Sequence, residues 1–476
     1  MANNCKVFTP KEYVEELLDA VEYRENLYGQ RVLENSCGDG NILMGVVRRY
    51  ISSCRTDGRT DEEIRTGLER DICGVELEKF HADKCRENLQ VIAAEFGIEG
   101  VKWNIIVGNY LRHSFDRQYD YIVSNPPYVV YRDIEQPERD YLREKFECCK
   151  EGKFDYYYAF IEKSVEELAL FGKMAYIIPY SIYKNVFAGK LRERIKPYVT
   201  KICDYTSEHK FPGITTSSTI LVLQREPHMN FMYRDEVTGL QFEIETRRLR
   251  DKWIFSDYLT AFEEMAAGAK KRFGTYFEVN NTVATLLNEA FLLKSYVLNG
   301  DYYEAESGDR VEADIVRPAV SKKRGQQGNL HIIFPYKWEN GVLSHYDDND
   351  FRKKYPCATA HLLQYEDKLG KRAVDEKTKW FEYGRTQAIT KITKEKLVMP
   401  SIISSTVNIT QEDADTIPCA GFFITAKGNH TLTEAKKILE SNRFYDYLKL
   451  IGIFTTGKSR RLTVKDIENY TFDKWE

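Results

Sequence analysis

Asn125-Pro126-Pro127-Tyr128 is the segment of this 476-residue chain best equipped for chemistry. It follows Tyr121-Ile122-Val123-Ser124, an apolar run that reads as a buried strand. The tetrapeptide therefore sits at a strand's carboxyl end, where ligands bind in open α/β sheets. Its prolines donate no backbone hydrogen bonds and fix the chain direction. The Asn125 amide oxygen and the Pro126 carbonyl can then point together into a cleft as acceptors. Such a pair suits a planar nitrogen carrying two hydrogens, as in an exocyclic base amine or a carboxamide. Tyr128 adds a flat surface on which a planar group can stack. An ordinary Asn-Pro turn is the competing reading, and the upstream context decides against it.

Arg31-Val32-Leu33-Glu34 reads as a short strand, followed by Asn35-Ser36-Cys37-Gly38-Asp39-Gly40 and an apolar helix start at Asn41. Glycines at a strand-to-helix turn let the backbone approach a ligand closely. A second strand, Asp71-Ile72-Cys73-Gly74-Val75, ends in Glu76, where a carboxylate is placed to accept hydrogen bonds from ribose hydroxyls. A third, Asn104-Ile105-Ile106-Val107, ends at Gly108-Asn109-Tyr110. Strand ends thus carry a Gly-rich turn, an acid, an amide with an aromatic, and the Asn-Pro-Pro-Tyr. The order is more specific than any one piece.

In that order the chain resembles the gamma-class amino-methyltransferases of bacterial restriction–modification systems, which methylate the 6-amino group of adenine in DNA. The resemblance begins at Val7-Phe8-Thr9-Pro10 and covers about half the chain. It implies S-adenosylmethionine as cofactor. Thr9, Glu34 and Ser36 would hold its methionine part along the Gly38–Gly40 turn, and Glu76 its ribose. Asn109 would read the cofactor adenine, with Tyr110 packing on it. Asn125, Pro126 and Tyr128 would take the target base. Phe211, in Glu208-His209-Lys210-Phe211-Pro212-Gly213, would close on that base from the other side. Two positions depart from the family pattern: Asn35 replaces a proline, and Asn109 stands where many relatives have aspartate.

Composition agrees with a globular cytoplasmic enzyme. Hydrophobic residues make up 42% and aromatics 13%, which argues against wholesale disorder. No apolar run approaches a membrane span, and the start lacks a signal-peptide core. The ten cysteines show no paired Cys-x-x-Cys spacing, so reduced thiols and no metal site are expected. Net charge is −4, which does not itself advertise nucleic-acid binding. Residues 1–230 hold 32 basic and 37 acidic residues, and residues 231–476 hold 37 and 36. In the second half the basic residues cluster, as at Lys322-Lys323-Arg324 and Arg352-Lys353-Lys354, and clusters matter more than totals for phosphate contact.

Alternating strands and helices predict an α/β Rossmann-like sheet over residues 1–229. The family resemblance adds S-adenosylmethionine-dependent methyl transfer and an antiparallel last strand. Thr9 with Glu12 forms a capping-box pattern with Pro10 at the first helical position. Residues 230–270 read as a charged connector. Residues 271–476 read as short strands and turns, a mixed α+β domain resembling the family's target-recognition domain. There Arg317, Arg385 and Gln387 are candidate DNA contacts, with structural ion pairs equally plausible. The expected partner is double-stranded DNA, with a separately encoded endonuclease acting on the same site. No nuclease domain fits ahead of Val7, so a separate methyltransferase is expected. Two rivals stand beside this reading. One is a methyltransferase of protein glutamine or ribosomal RNA bases, whose amide or amine fits the same acceptors. The other is a catalytically silent DNA-binding protein that keeps the fold.

Overall fold

The computed structural model describes residues 9–206, 218–255, 271–323, 330–339, 341–404, 406–454 and 459–473. The chain divides into two compact units near residue 257. In the first, a nine-stranded sheet runs in the order β3-β2-β1-β4-β5-β7-β6-β8-β9. The strands are β1 Val32–Glu34, β2 Ile72–Glu76, β3 Asn104–Val107, β4 Tyr119–Ser124, β5 Leu168–Pro179, β6 Val199–Asp204, β7 Ser218–Gln224, β8 Asn230–Asp235 and β9 Gln241–Glu245. Strands β1 to β5 are parallel to one another. β7 runs antiparallel to both β5 and β6, as the family resemblance implied.

Helices cover both faces: α1 Lys11–Ala20, α2 Asn41–Thr56, α3 Asp61–Asp71, α4 Lys79–Glu95, α5 Gln136–Lys145, α6 Tyr157–Glu167 and α7 Gly189–Ile195. Strand alternation splits the core between the faces. On β5, Ala175 and Ile177 join Val14, Leu18, Val46 and Leu89 on one side. Met174, Tyr176 and Ile178 join Tyr157, Phe160 and Leu191 on the other. Tyr157 and Tyr158 are fully buried, so the Tyr156–Tyr158 stripe is core.

Local differences from the sequence expectations lie at the start of α1 and in the stretch after β7. α1 begins at Lys11 with Pro10 as its cap residue and no side-chain cap, so Thr9 does not form the expected capping box. α3 comes before β2 and opens with a capping box of its own, Thr60 with Glu63. β5 runs from Leu168, directly after α6 stops at Glu167. The stretch expected as a connector supplies β8 and β9: β8 pairs parallel to β6, and β9 pairs antiparallel to β8. Phe231, Tyr233, Ile244 and Trp253 from this stretch are buried in the core.

The second unit has two four-stranded sheets among the described residues. One joins Phe277–Asn281, Phe422–Ala426, Lys396–Met399 and Thr410–Glu412. The other joins Leu292–Leu293, Leu330–Ile333, Val316–Ser321 and Ile417–Ala420. Helices Asp348–Lys354 and Pro356–Leu363 pack onto a core that includes Phe291, Ile333, Phe351 and Tyr383.

The position of β8 and β9 sets a domain boundary that can be tested. A fragment ending at residue 229 loses Phe231, Tyr233, Ile244 and Trp253, each worth about 1.5–3 kcal/mol of burial. That loss rivals the whole stability of a typical domain. A fragment ending at residue 255 is expected to be soluble with a sharp thermal transition. The shorter one is expected to aggregate or melt at least 10 °C lower. Equal melting temperatures in a scanning-fluorimetry comparison would place β8 and β9 outside the folding unit.

Candidate active site

β1 lies between β2 and β4 and is parallel to both, so chain direction away from the centre reverses there. Such a switch point opens a crevice at the carboxyl ends of the two strands. The turn Asn35–Gly40 leaves β1 on one side, and Asn125–Tyr128 leaves β4 on the other. Ser36 Oγ binds them together, lying 2.9 Å from Ser124 Oγ and donating to the Asn125 carbonyl at 3.3 Å. Ser124 gave no signal of its own in the sequence beyond its place next to Asn125.

The Gly-rich turn is built for close approach. Gly40 has φ +88°, and a Cβ there would lie 2.7 Å from Cys85 Sγ on α4, so only glycine fits. Gly38, with φ +51°, has nothing within 4 Å of its Cβ position and faces open space. Its N–H donates to Glu76 Oε2 at 3.0 Å, while Glu76 Oε1 accepts from Glu78 N–H at 2.9 Å. Glu76 thus stands at the end of β2 against the turn that follows β1. Asp39 is held from α4 by the His81 imidazole, Oδ1 to Nδ1 at 2.6 Å, and by Asn88 Nδ2 on its carbonyl. Leu77 and Val107 lie half-exposed beside Glu76 and Gly108, and sequence reasoning missed them. Apolar side chains exposed at two adjacent strand ends are the signal that could have found them.

Two expected cofactor contacts are buried. Glu34 is 2% exposed, and its carboxylate accepts from Leu43 N–H in the first turn of α2. Burial pushes its carboxyl well above the usual range. Enclosed in this way, it fixes the start of α2 rather than facing a ligand. Tyr110 is also 2% exposed, and its ring packs against Phe115 and Phe160. Its hydroxyl donates to Glu167 at 2.6 Å and meets Ser164 Oγ at 2.8 Å. The ring is core and offers no face to a cofactor. Asn109 Oδ1 accepts from Leu111 N–H at 2.9 Å, capping the turn after β3. Asn35, the departure from the family's proline, has a structural use. Its Nδ2 donates to Ser164 Oγ at 2.9 Å and to the Tyr176 hydroxyl, tying the turn after β1 to α6 and β5.

The tetrapeptide forms the other wall. Asn125 Oδ1 accepts from the Tyr128 hydroxyl at 2.5 Å, and Asn125 Nδ2 donates to Thr9 Oγ1 at 3.3 Å. The Tyr128 hydroxyl also lies 2.6 Å from the Ile177 carbonyl on β5. Its ring meets Tyr157 edge-on at 5.9 Å. Burial raises the Tyr128 phenol far above its ordinary value, so it stays protonated and can donate. Pro126 is buried. Asp155, just ahead of Tyr157, is pushed up to about 6 by burial. Phe211 falls outside the described residues.

In the second unit the candidate DNA contacts Arg317 and Arg385 bond to neighbouring groups of the protein. Tyr383 is fully buried and donates to the Ile333 carbonyl at 2.8 Å. Arg385 pairs with Asp375 at 2.9 Å, and Arg317 donates to the Asp314 and Val316 carbonyls. Gln387 is exposed. No helix among the described residues is long and apolar enough to cross a membrane.

Comparison with known proteins agrees with this geometry. Residues 57–211 match the family model described as Eco57I restriction-modification methylase. The type II restriction enzyme and methyltransferase RM.Eco57I of Escherichia coli is 24% identical over 358 residues, covering 63% of this chain and 36% of that protein. The type II methyltransferase M.BstVI of Geobacillus stearothermophilus is 22% identical, covering 92% of this chain and 84% of that protein. The chain therefore spans little more than a third of the first of these relatives. Among solved structures, the type IIL restriction–modification enzyme MmeI in complex with DNA superposes with a TM-score of 0.61 at 14% identity, covering 96% of this chain and 64% of that one. These matches bear out the resemblance to restriction–modification methyltransferases, whose expected cofactor is S-adenosylmethionine.

The residues present fit that cofactor. Space is open at the Cβ positions of both Gly38 and Gly108, on either side of Glu76. The ribose would fall to Glu76, the methionine part to the Ser36–Gly38 turn, and the adenine to the Leu77, Val107 and Asn109 side. Glu76→Ala is expected to weaken S-adenosylmethionine binding by about 1–3 kcal/mol. Titration calorimetry measures this, and an unchanged dissociation constant would remove Glu76 from the pocket.

Proposed function

We propose that this protein is a site-specific DNA methyltransferase that modifies the 6-amino group of adenine, as the modification arm of a restriction–modification system. One observation carries the reading above the others. The Asn125 amide and the Pro126 carbonyl lie at the carboxyl end of β4, one hydrogen bond away from the cofactor turn through Ser36. Two acceptors at that place suit a nitrogen with two hydrogens. Relatives named as restriction–modification methyltransferases favour DNA over other carriers of such a nitrogen. The second unit, expected to recognise the target sequence, is the further support. A methyltransferase of glutamine side chains or ribosomal RNA bases would use the same acceptors but has no evident need of a unit that size. Its partner in the cell would be a nuclease of the same specificity.

The mechanism follows from the side chains. An adenine stacked in a duplex cannot enter the crevice, so it must be extruded at a cost of a few kcal/mol. Stacking on Tyr128 would return roughly 1–3 kcal/mol, and Phe211 is proposed for the opposite face. S-adenosylmethionine supplies an electrophilic methyl group when bound. The adenine amino nitrogen is a weak nucleophile because its lone pair is delocalised into the ring. Asn125 Oδ1 and the Pro126 carbonyl, each accepting one of its hydrogens, favour a pyramidal nitrogen with a localised lone pair. As positive charge develops there, the same two oxygens stabilise it. Pro126 contributes by its rigidity, since its fixed φ holds the carbonyl in place.

The test is methyl transfer from labelled cofactor to duplex DNA, followed by nucleoside analysis. Label recovered as N6-methyladenine supports the proposal; label in cytosine, RNA or protein overturns it. Asn125→Ala removes one acceptor and is expected to lower the single-turnover rate about 100-fold or more while leaving both binding constants nearly unchanged. Tyr128→Ala is expected to impair extrusion as well, seen as a weaker fluorescence rise from a purine analogue at the target position. A near-normal rate in Asn125→Ala would refute the acceptor mechanism.

A further inference from the structure

The two ends of an asparagine amide have nearly the same shape and opposite chemistry. Which end of Asn125 faces the crevice decides whether the site accepts from an amine or repels it. Tyr128 cannot settle this alone. Its hydroxyl has one hydrogen but lies within reach of two acceptors, Asn125 Oδ1 at 2.5 Å and the Ile177 carbonyl at 2.6 Å. When that hydrogen goes to Ile177, the phenol oxygen becomes an acceptor and would welcome the amide's Nδ2 instead. An incoming amino group would share Oδ1 with the Tyr128 hydroxyl, each donating to one of its two lone pairs.

The other end of the amide is held at Thr9. Asn125 Nδ2 donates to Thr9 Oγ1 at 3.3 Å, across 116 positions of sequence. Thr9 is 5% exposed. Its carbonyl accepts from Asn41 Nδ2 at 3.1 Å, which anchors the segment to the first residue of α2. The hydroxyl is thus placed by the element that follows the Gly-rich turn. It is free of the helix-capping work its sequence context suggested, since α1 carries no side-chain cap.

We propose that Thr9 is a positioning residue for the Asn125 amide: with the Tyr128 hydroxyl donating to Oδ1, the Thr9 hydroxyl accepts from Nδ2 and holds Oδ1 toward the target amine. Thr9 touches no reacting atom in this role; it acts through Asn125. The proposal rests on the methyltransferase reading above. It also makes the amino-terminal segment part of the catalytic apparatus, coupling the start of α2 to the acceptor on β4.

Thr9→Val replaces the hydroxyl by a methyl of similar size and removes the acceptor. The single-turnover methylation rate at saturating S-adenosylmethionine and DNA is expected to fall roughly tenfold, the effect of one hydrogen bond on an orientation equilibrium. The cofactor dissociation constant and the fluorescence signal of base extrusion are expected to stay within about twofold. Thr9→Ser, which keeps the hydroxyl, is expected to restore the rate. Thr9→Ala must reproduce the loss, and serves if the valine strains the segment. A full rate in Thr9→Val overturns the proposal. So does a loss that disappears as cofactor is raised, which would assign the hydroxyl to the methionine part, and so does failure of serine to rescue. If the unaltered protein does not methylate duplex DNA, the function reading fails first. The Thr9 assignment is then read from the Asn125 side-chain amide resonances of 15N-labelled protein, identified by their loss in Asn125→Ala. They are expected to shift and exchange faster in Thr9→Val, and unchanged resonances overturn the proposal.

Discussion

Everything at the crevice depends on two turns at the ends of adjacent parallel strands staying in register. The Ser36 hydroxyl is the direct link, touching Ser124 and the Asn125 carbonyl at once. Without it, the turn expected to hold the cofactor and the turn expected to hold the target nitrogen would each be well made but independently placed. A methyl transfer is sensitive to that placement, since reacting atoms must be aligned at close range. The sheet supports the link from below: β1 and β4 pair directly at Val32–Tyr121 and Leu33–Ile122.

Around this link the chain uses buried polar groups as fasteners. Asn35, Ser164, Tyr176, Tyr110 and Glu167 form a continuous hydrogen-bonded set joining the turn after β1 to α6, β5 and the turn after β3. In this set Asn35 Oδ1 has no hydrogen-bond partner among the described residues. Buried polar networks rigidify a site as their groups are satisfied. This explains why an asparagine is tolerated where the resembled family has proline. The ring torsion of proline is replaced by two side-chain hydrogen bonds. It also explains why Tyr110 is core: its hydroxyl is the middle of the set. Glu34 plays a similar part at the start of α2.

Much of this was legible in the sequence. Short apolar runs ending in Gly-rich, acidic and Asn-Pro-Pro-Tyr turns marked the first four strands and put Gly38, Glu76 and Asn125 just after or at their carboxyl ends, because those residue types report backbone needs directly. What was not legible depends on partners far away in the chain. Thr9 with Glu12 has capping-box spacing, yet its hydroxyl meets Asn125, and local pattern cannot show a competitor 116 positions off. β8 and β9 looked like a connector because strands exposed on one face alternate polar and apolar residues. Among charged neighbours, Phe231, Tyr233 and Ile244 do not stand out. Glu34 and Tyr110 were read as ligand contacts since sequence shows residue type but not exposure. In the second unit, Arg317 and Arg385 are occupied by carbonyls and Asp375, and no local signal separates such an arginine from one that waits for a phosphate.

The central claim is that Asn125 Oδ1 and the Pro126 carbonyl jointly receive an extruded adenine amine. The most direct measurement is the structure of the protein with a non-reactive cofactor analogue and duplex DNA carrying the modified sequence. The account predicts an adenine out of the helix, stacked on Tyr128, its amino nitrogen within about 3 Å of both oxygens. A base that stays stacked in the duplex, or an extruded base whose amine faces away from Asn125, would contradict it.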